Sequence, residues 1–396
     1  MNRLFRISID TFLTSITPIL SWFLIGILID KNLINIFTLI YPIQFVISTI
    51  KSIFGTGANI SAIRDNNKDS VYSGFILGSL LGVIILGIIV FNVDKYVLFM
   101  NMDVNTYKTF TIYAIVQMFC QLLLNLSLCK LYYSDDNKRA NKYSFLFNLI
   151  NFLSLIIMSV ITKNQVTIVT FSLGFTTIFT LIMIFRTVEI SHFNINLKNC
   201  IKYDSVNLFD QISMFFIYLF GFKNSFVFGD KYILAISFAT LITDTQWDIS
   251  DAIKTTAQID ITKKVFSYKK HLKNSRKLVY ILILSSFIMG VLLYPNYKSD
   301  VFATLFIMCI ELISLYLYPI YITKLAFIQL EHSATKATIN KQMANILRVL
   351  CSFIPSPFCT SFGLMASVTY QLISTEYIVK RNNIDLEVKN DNNIVV

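Results

Sequence analysis

Apolar runs of 18 or more residues recur along this chain from its first twenty residues almost to its end. A run of that length is enough for a helix to cross the ~30 Å hydrocarbon core of a bilayer. Of 396 residues, 55% are hydrophobic and only 14% charged, against about 25% charged in soluble domains. The runs resolve into twelve spans, about 11–29, 33–54, 71–92, 107–131, 143–161, 165–187, 206–228, 232–253, 277–294, 301–323, 339–354 and 359–379. Pro355 and Pro357 interrupt the eleventh. The first run continues for a full span without an A-x-A-like site, so it reads as a span and not as a cleavable leader. The chain is therefore expected to be an all-α polytopic membrane protein. The abundance of Ile, Asn, Lys and Phe suggests an AT-rich bacterial genome.

A net charge of +11 would suggest nucleic acid in a soluble protein, but topology explains it here. With the N-terminus inside, Lys31, Lys95, Lys108, Lys163, Lys223, Lys231 and Lys298 fall outside and Lys51 falls within a span. The other 26 of the 34 Lys and Arg, Arg3 and Arg6 among them, fall inside. Such an asymmetry marks the cytoplasmic side, so both termini are expected in the cytoplasm of a cell membrane. No nucleic-acid partner is implied, and contact with anionic lipid is. The six cysteines have neither disulfide nor metal spacing. His192, His271 and His332 fall in expected loops.

The span at 232–253 carries Asp244, Asp248 and Asp251. At 3.6 residues per turn the three acids share one stripe about 60° wide, with Trp247 on another face. Charges within membrane helices cost about 2.5–3.5 kcal/mol each on insertion scales and mark functional sites. Glu311, near the middle of the tenth span, is a second such acid. These four are the candidates for holding a coupling ion or a substrate. The alternative is that Asp251 only meets water and Asp248 pairs with a lysine.

Neutral polar residues form a second set. Gln44 follows Pro42 in the second span. Gln117, Gln121 and Asn125 form an i, i+4, i+8 stripe in the fourth, and Asn148 and Asn151 lie in the fifth. In a bundle these either bond between helices or face a wet cavity. Gly74, Gly78 and Gly82, four apart, suit close backbone packing. Asp210 reads as an acid at a helix start. The polar segment 186–204 divides two blocks of six spans, giving lobes at 1–190 and 191–380. A polar cytoplasmic tail, 381–396, is expected to be disordered.

From Pro18 to Gly74 the chain resembles the multidrug and toxic compound extrusion (MATE) family, of the multidrug/oligosaccharidyl-lipid/polysaccharide exporter group. The resemblance rests on Pro18, LSWFLIG at 20–26, Tyr41-Pro42 and GTGANISAIRDNNKD at 55–69. It implies two six-helix lobes related by a pseudo-twofold axis, and alternating access driven by Na⁺ or H⁺. The family's first-helix acid falls on Ser21 here, and Asn66 and Asn67 stand where glycines are usual. Coupling is therefore expected at Asp244, Asp248 and Glu311.

The expectation is a secondary-active exporter, working as a monomer, of an amphipathic cationic or peptide-like small molecule. It needs no cofactor beyond the coupling ion. Without a GxxxxGK[ST] loop or a catalytic cluster, it is not an enzyme. The rivals are a lipid-linked oligosaccharide flippase, which would favour a cationic cavity, and a degenerate non-transporting receptor or immunity protein.

Overall fold

Twelve long helices coincide with the twelve expected spans in the computed structural model, which describes residues 3–134 and 136–386. They are α1 (Arg3–Leu28), α2 (Asn35–Lys51), α4 (Asp69–Phe91), α6 (Val104–Tyr133), α7 (Asn137–Ile161), α8 (Gln165–Thr187), α9 (Leu197–Phe226), α10 (Asp230–Thr262), α11 (Tyr268–Tyr297), α12 (Val301–Phe327), α13 (Ala334–Ser352) and α14 (Cys359–Arg381). Two short helices, α3 (Ala58–Arg64) and α5 (Val93–Phe99), complete the set, and no strand occurs among the described residues. The side chains of Arg3 and Arg6 and the tail beyond residue 386 lie outside the described residues.

Local chemistry sets the helix starts. Asp103, Asp136, Asn164, Asn196, Asp300 and Ser333 each accept a hydrogen bond from the backbone N–H three residues on, satisfying a donor the helix leaves open. Between α9 and α10 the chain turns at Gly229, whose φ of +96° is a conformation glycine adopts without a Cβ clash. Among the described residues, seven helical segments are long and apolar enough to cross a membrane by composition alone. They are α4, α6, α7, α8, α11 and the segments containing α2 and α12. Ile16–Leu28 of α1 is a shorter apolar stretch.

The chain divides into two compact units, Thr17–Gly229 and Met1–Ile16 with Asp230–Val396. These boundaries differ from the expected 190/191. The physical reason is the packing of α9, which lies along α2 and the π-helical turn Ser52–Gly57 of the first unit. The expected linker is held down in the same unit. Ser191 donates to Asp69, the Asn194 N–H donates to Ser73 Oγ at 2.8 Å, and Asn199 Nδ2 donates to Asp65 at 3.0 Å. Lys130 pairs with Glu189 and holds its carboxyl below the usual range. The GTGAN motif is the landing surface: a Cβ at Gly57 would stand 2.4 Å from the carbonyl oxygen of Cys200. The second span, expected to end near residue 54, runs on through the π-helical turn into α3.

Three further expectations are corrected. Asp210 sits thirteen residues inside α9 because that helix starts at Leu197, with a kink at Asp204 (φ −117°, ψ 18°). Asp204 itself is buried, accepting from Ser52 and, at 2.6 Å, from Asn207 Nδ2. His271 is buried in the first turn of α11, where its ring meets Phe266 at 5.6 Å, and is not in a loop. Finally, the first residues of the tail are ordered: Ile384 and Leu386 pack on a core of Ala257, Ile261, Phe266, Ala326 and Phe327.

In the first unit the glycine stripe of α4 meets α6 and the end of α2. A Cβ at Gly74 would lie 2.4 Å from the Phe54 carbonyl, and one at Gly78 2.8 Å from Leu126 Cδ1. In the second unit α10 packs along α12, with α11 and α14 flanking α12. One of its cores gathers Ile249, Ile253, Leu278, Leu282, Leu312 and Leu315, among others.

Candidate functional site

The acidic helix α10 is 33 residues long, about 50 Å at 1.5 Å per residue, so it outruns the ~30 Å hydrocarbon core. Its buried positions, such as Ile242, Ile249, Ala252, Ile253 and Thr256, face α11 and α12. Of the acids, Asp244 is half-buried, and Asp248 and Asp251 are exposed.

The packing of α10 on α12 brings two of the four candidates into one cluster. The Tyr318 hydroxyl donates to Asp251 Oδ1 at 2.8 Å, and Trp247 Nε1 donates to Glu311 Oε2 at 2.8 Å. The two donors touch each other edge to face, with ring centroids 5.4 Å apart at 89°. Tyr318 meets Tyr321 the same way at 5.5 Å. Such aromatic contacts fix ring orientation and add about 0.5–1.5 kcal/mol each. Arg348 of α13 lies within electrostatic reach of Glu311 and Tyr321, and Asp251 within reach of Tyr321. Carboxylates on two helices are thus bridged by one indole and one phenol, with an arginine close by.

Asp248 and Asp244 continue the acidic face about one and two turns earlier on α10. Between Asp244 and Asp248, Gln246 is buried against α11 and accepts from Ser285 Oγ at 3.3 Å. Sequence reasoning missed Trp247, Tyr321 and Arg348. The signal for Trp247 was present: an indole N–H buried at mid-helix needs an acceptor. Arg348 in an expected span was a comparable signal.

The neutral candidates separate into two groups, both in the first unit. Asn151 accepts from the Tyr113 hydroxyl at 2.5 Å, Ser154 and Ser172 are 2.9 Å apart, and Tyr113 reaches Ser172 at 3.4 Å. All four are buried, and Asn148 is buried on the same helix. Gln44 is exposed on α2, while Gln117, Gln121 and Asn125 are half-buried along α6. Ser21, at the position of the resembled family's acid, is 3% exposed and donates to the Thr17 carbonyl at 2.9 Å. Its hydroxyl is spent on its own helix.

No family sequence model matches this chain, and no curated protein matches it by sequence. Solved structures do match its fold. A multidrug resistance MATE family transporter of the MOP superfamily, in an inward-facing conformation, aligns at TM-score 0.69 and 13% identity over 97% of this chain and 96% of that one. A MOP superfamily transporter from Pyrococcus furiosus, described as having a binding pocket of reverse polarity, aligns at 0.67 and 14% over 97% and 96%. An outward-facing MATE family transporter aligns at 0.62 and 15% over 96% and 95%. At these identities the likeness is one of fold. The chain has the fold of MATE transporters and is a multi-pass membrane protein.

Proposed function

We propose that this chain, folded as a MATE transporter, is a secondary-active exporter of amphipathic cationic small molecules, with both termini in the cytoplasm. The observation that carries the reading is the cluster of Asp251, Tyr318, Trp247 and Glu311 on α10 and α12. A charged carboxylate on a membrane-spanning helix is costly unless something neutralises it. One N–H or O–H donor per carboxylate does not supply a full positive charge. The balance comes from a mobile cation or from the nearby arginine.

A proton suits the geometry better than Na⁺. Indole and phenol donors present hydrogen atoms to the carboxylates, the wrong pole for a metal ion. A proton needs only one free lone pair, and each carboxylate keeps one. Asp244 and Asp248, on the same helix, offer the negative charge that a cationic substrate requires. Binding of proton and cationic substrate to one acidic helix makes them competitors. A bound species shifts the conformational balance only if it prefers one state, and competition of this kind converts proton entry into substrate exit.

The test is flux in proteoliposomes. Purified protein is loaded with a fluorescent organic cation, and a pH gradient or a Na⁺ gradient is imposed separately. Efflux driven by the pH gradient, and lost in E311Q, is the expected result. Efflux unchanged in both E311Q and D251N removes this cluster from the mechanism, and efflux driven by Na⁺ alone removes the proton.

A further inference from the structure

The first three turns of α11 carry Lys269, Lys273, Arg276 and Lys277, all exposed. At 100° per residue these four cations occupy an arc of about 100°, and Tyr280 falls within it. Leu284, Phe287 and Val291 fall on the same arc further along and are also exposed. The opposite side of the helix, with His271, Ser275, Leu278, Val279, Leu282 and Ser286, is buried against the second unit. One continuous outward stripe thus changes from basic to apolar at Tyr280. Lys269, Leu272, Lys273, Arg276, Lys277 and Tyr280 line a groove of about 380 Å³ there. Among the described residues, no carboxylate forms an ion pair with any of the four cations.

We propose that this groove is a binding site for an anionic phospholipid, whose phosphate sits among Lys273, Arg276 and Lys277 and whose acyl chains lie along Leu284, Phe287 and Val291. The depth fits. With the hydrocarbon boundary at residue 277, the rise of ~1.5 Å per residue puts Arg276 about 2 Å and Lys273 about 6 Å into a headgroup layer about 5–8 Å thick, with Lys269 beyond it at about 12 Å. Tyr280 lies one turn inside, where amphipathic rings prefer to sit. Arginine supplies a planar fork that binds phosphate through two parallel bonds, and lysines add charge. A soluble anion would satisfy the cations and leave the apolar half of the stripe unused. A zwitterionic lipid would cover the apolar half and leave the charge uncompensated.

The experiment uses the full chain in detergent micelles doped with phosphatidylglycerol, phosphatidylcholine or free glycerol phosphate. Lipid retained per protein is read by native mass spectrometry, and the unfolding midpoint is read in parallel. Phosphatidylglycerol is expected to be retained and to raise the midpoint, and the other two are not. Each interfacial cation is worth ~1 kcal/mol toward an anionic surface, so K273Q/R276Q/K277Q weakens retention about a hundredfold, whereas K263Q/K264Q, in the loop before the stripe, does not. If the triple variant aggregates, R276Q alone is read, with about a fivefold loss expected. Equal retention of the two lipids, equal stabilisation by glycerol phosphate, or undiminished phosphatidylglycerol binding by the folded variants would each overturn the assignment. The transport cluster on α10 and α12 takes no part in any of these readouts.

Discussion

Both units carry clusters of polar side chains on long helices, and they satisfy them in different ways. In the first unit Tyr113, Asn151, Ser154 and Ser172 are neutral, and they donate to and accept from one another across α6, α7 and α8. In the second, Asp251 and Glu311 each take one hydrogen bond from an aromatic donor across α10 and α12. A neutral cluster of matched donors and acceptors requires nothing from outside, and its value is rigidity and specific packing. A carboxylate keeps a charge that one dipole cannot cancel. Under the proposed function, the first cluster serves packing and the second a cycling cation.

The sharpest way to break this contrast is D251N, which keeps the shape and the Tyr318 contact and removes the titrating group. Proton-driven efflux should fall about a hundredfold, the scale of ~2–3 kcal/mol of lost coupling, with the unfolding midpoint nearly unchanged. Next comes D244N/D248N, for which equilibrium dialysis should show a dye cation binding about tenfold more weakly. Full affinity would confine substrate recognition to other residues. In the first unit the largest response should be in stability. Gly74→Val forces a side chain against the Phe54 carbonyl and should cost ~1–3 kcal/mol by overpacking, read from unfolding in detergent. Y113F removes one bond of the neutral cluster, for a loss of ~0.5–1.5 kcal/mol, and should leave the pH profile of efflux as it was. A shifted profile in Y113F would end the division of labour between the two clusters.

The smallest effect tests Asp204, at the kink of α9. Burial raises its carboxyl above the usual range, against the opposing bonds from Ser52 and Asn207. A folded value above the unfolded one means that the folded state holds the proton more tightly. The resulting stability is present below the ordinary carboxylate range and is lost as pH rises through the raised value. D204N should flatten that part of the stability profile, measured from the ordinary carboxylate range upward, and an unaltered slope would show that Asp204 is not its source.

The number and order of the long helices were legible in the chain because hydrocarbon imposes one length on every span. The helix starts were less legible. Those of α9, α10 and α11 lie outside or at the edge of the apolar runs, where caps and tertiary partners decide. Asp210 and His271 were misplaced for that reason. The acids were legible one by one, since a charge among apolar residues announces itself. Their partners were not: Trp247 and Arg348 signal a need for an acceptor but name none until the helices are packed.

The amino-acid sequence alone determined the solvent of this protein, its all-helical class, the twelve long helices and the helix that carries most of the intramembrane charge. Each of these follows from a property that adds up along one segment, such as hydropathy, length or charge. Tertiary structure decided that Asp251 and Glu311 share a cluster while Asn151 joins a sealed neutral one. It also decided that the linker belongs with the first unit and that the cations of α11 line up with its apolar stripe on an outward face. Those outcomes depend on which helix faces lie against one another. Hydrophobic burial is non-directional, so periodicity marks a face without naming its partner.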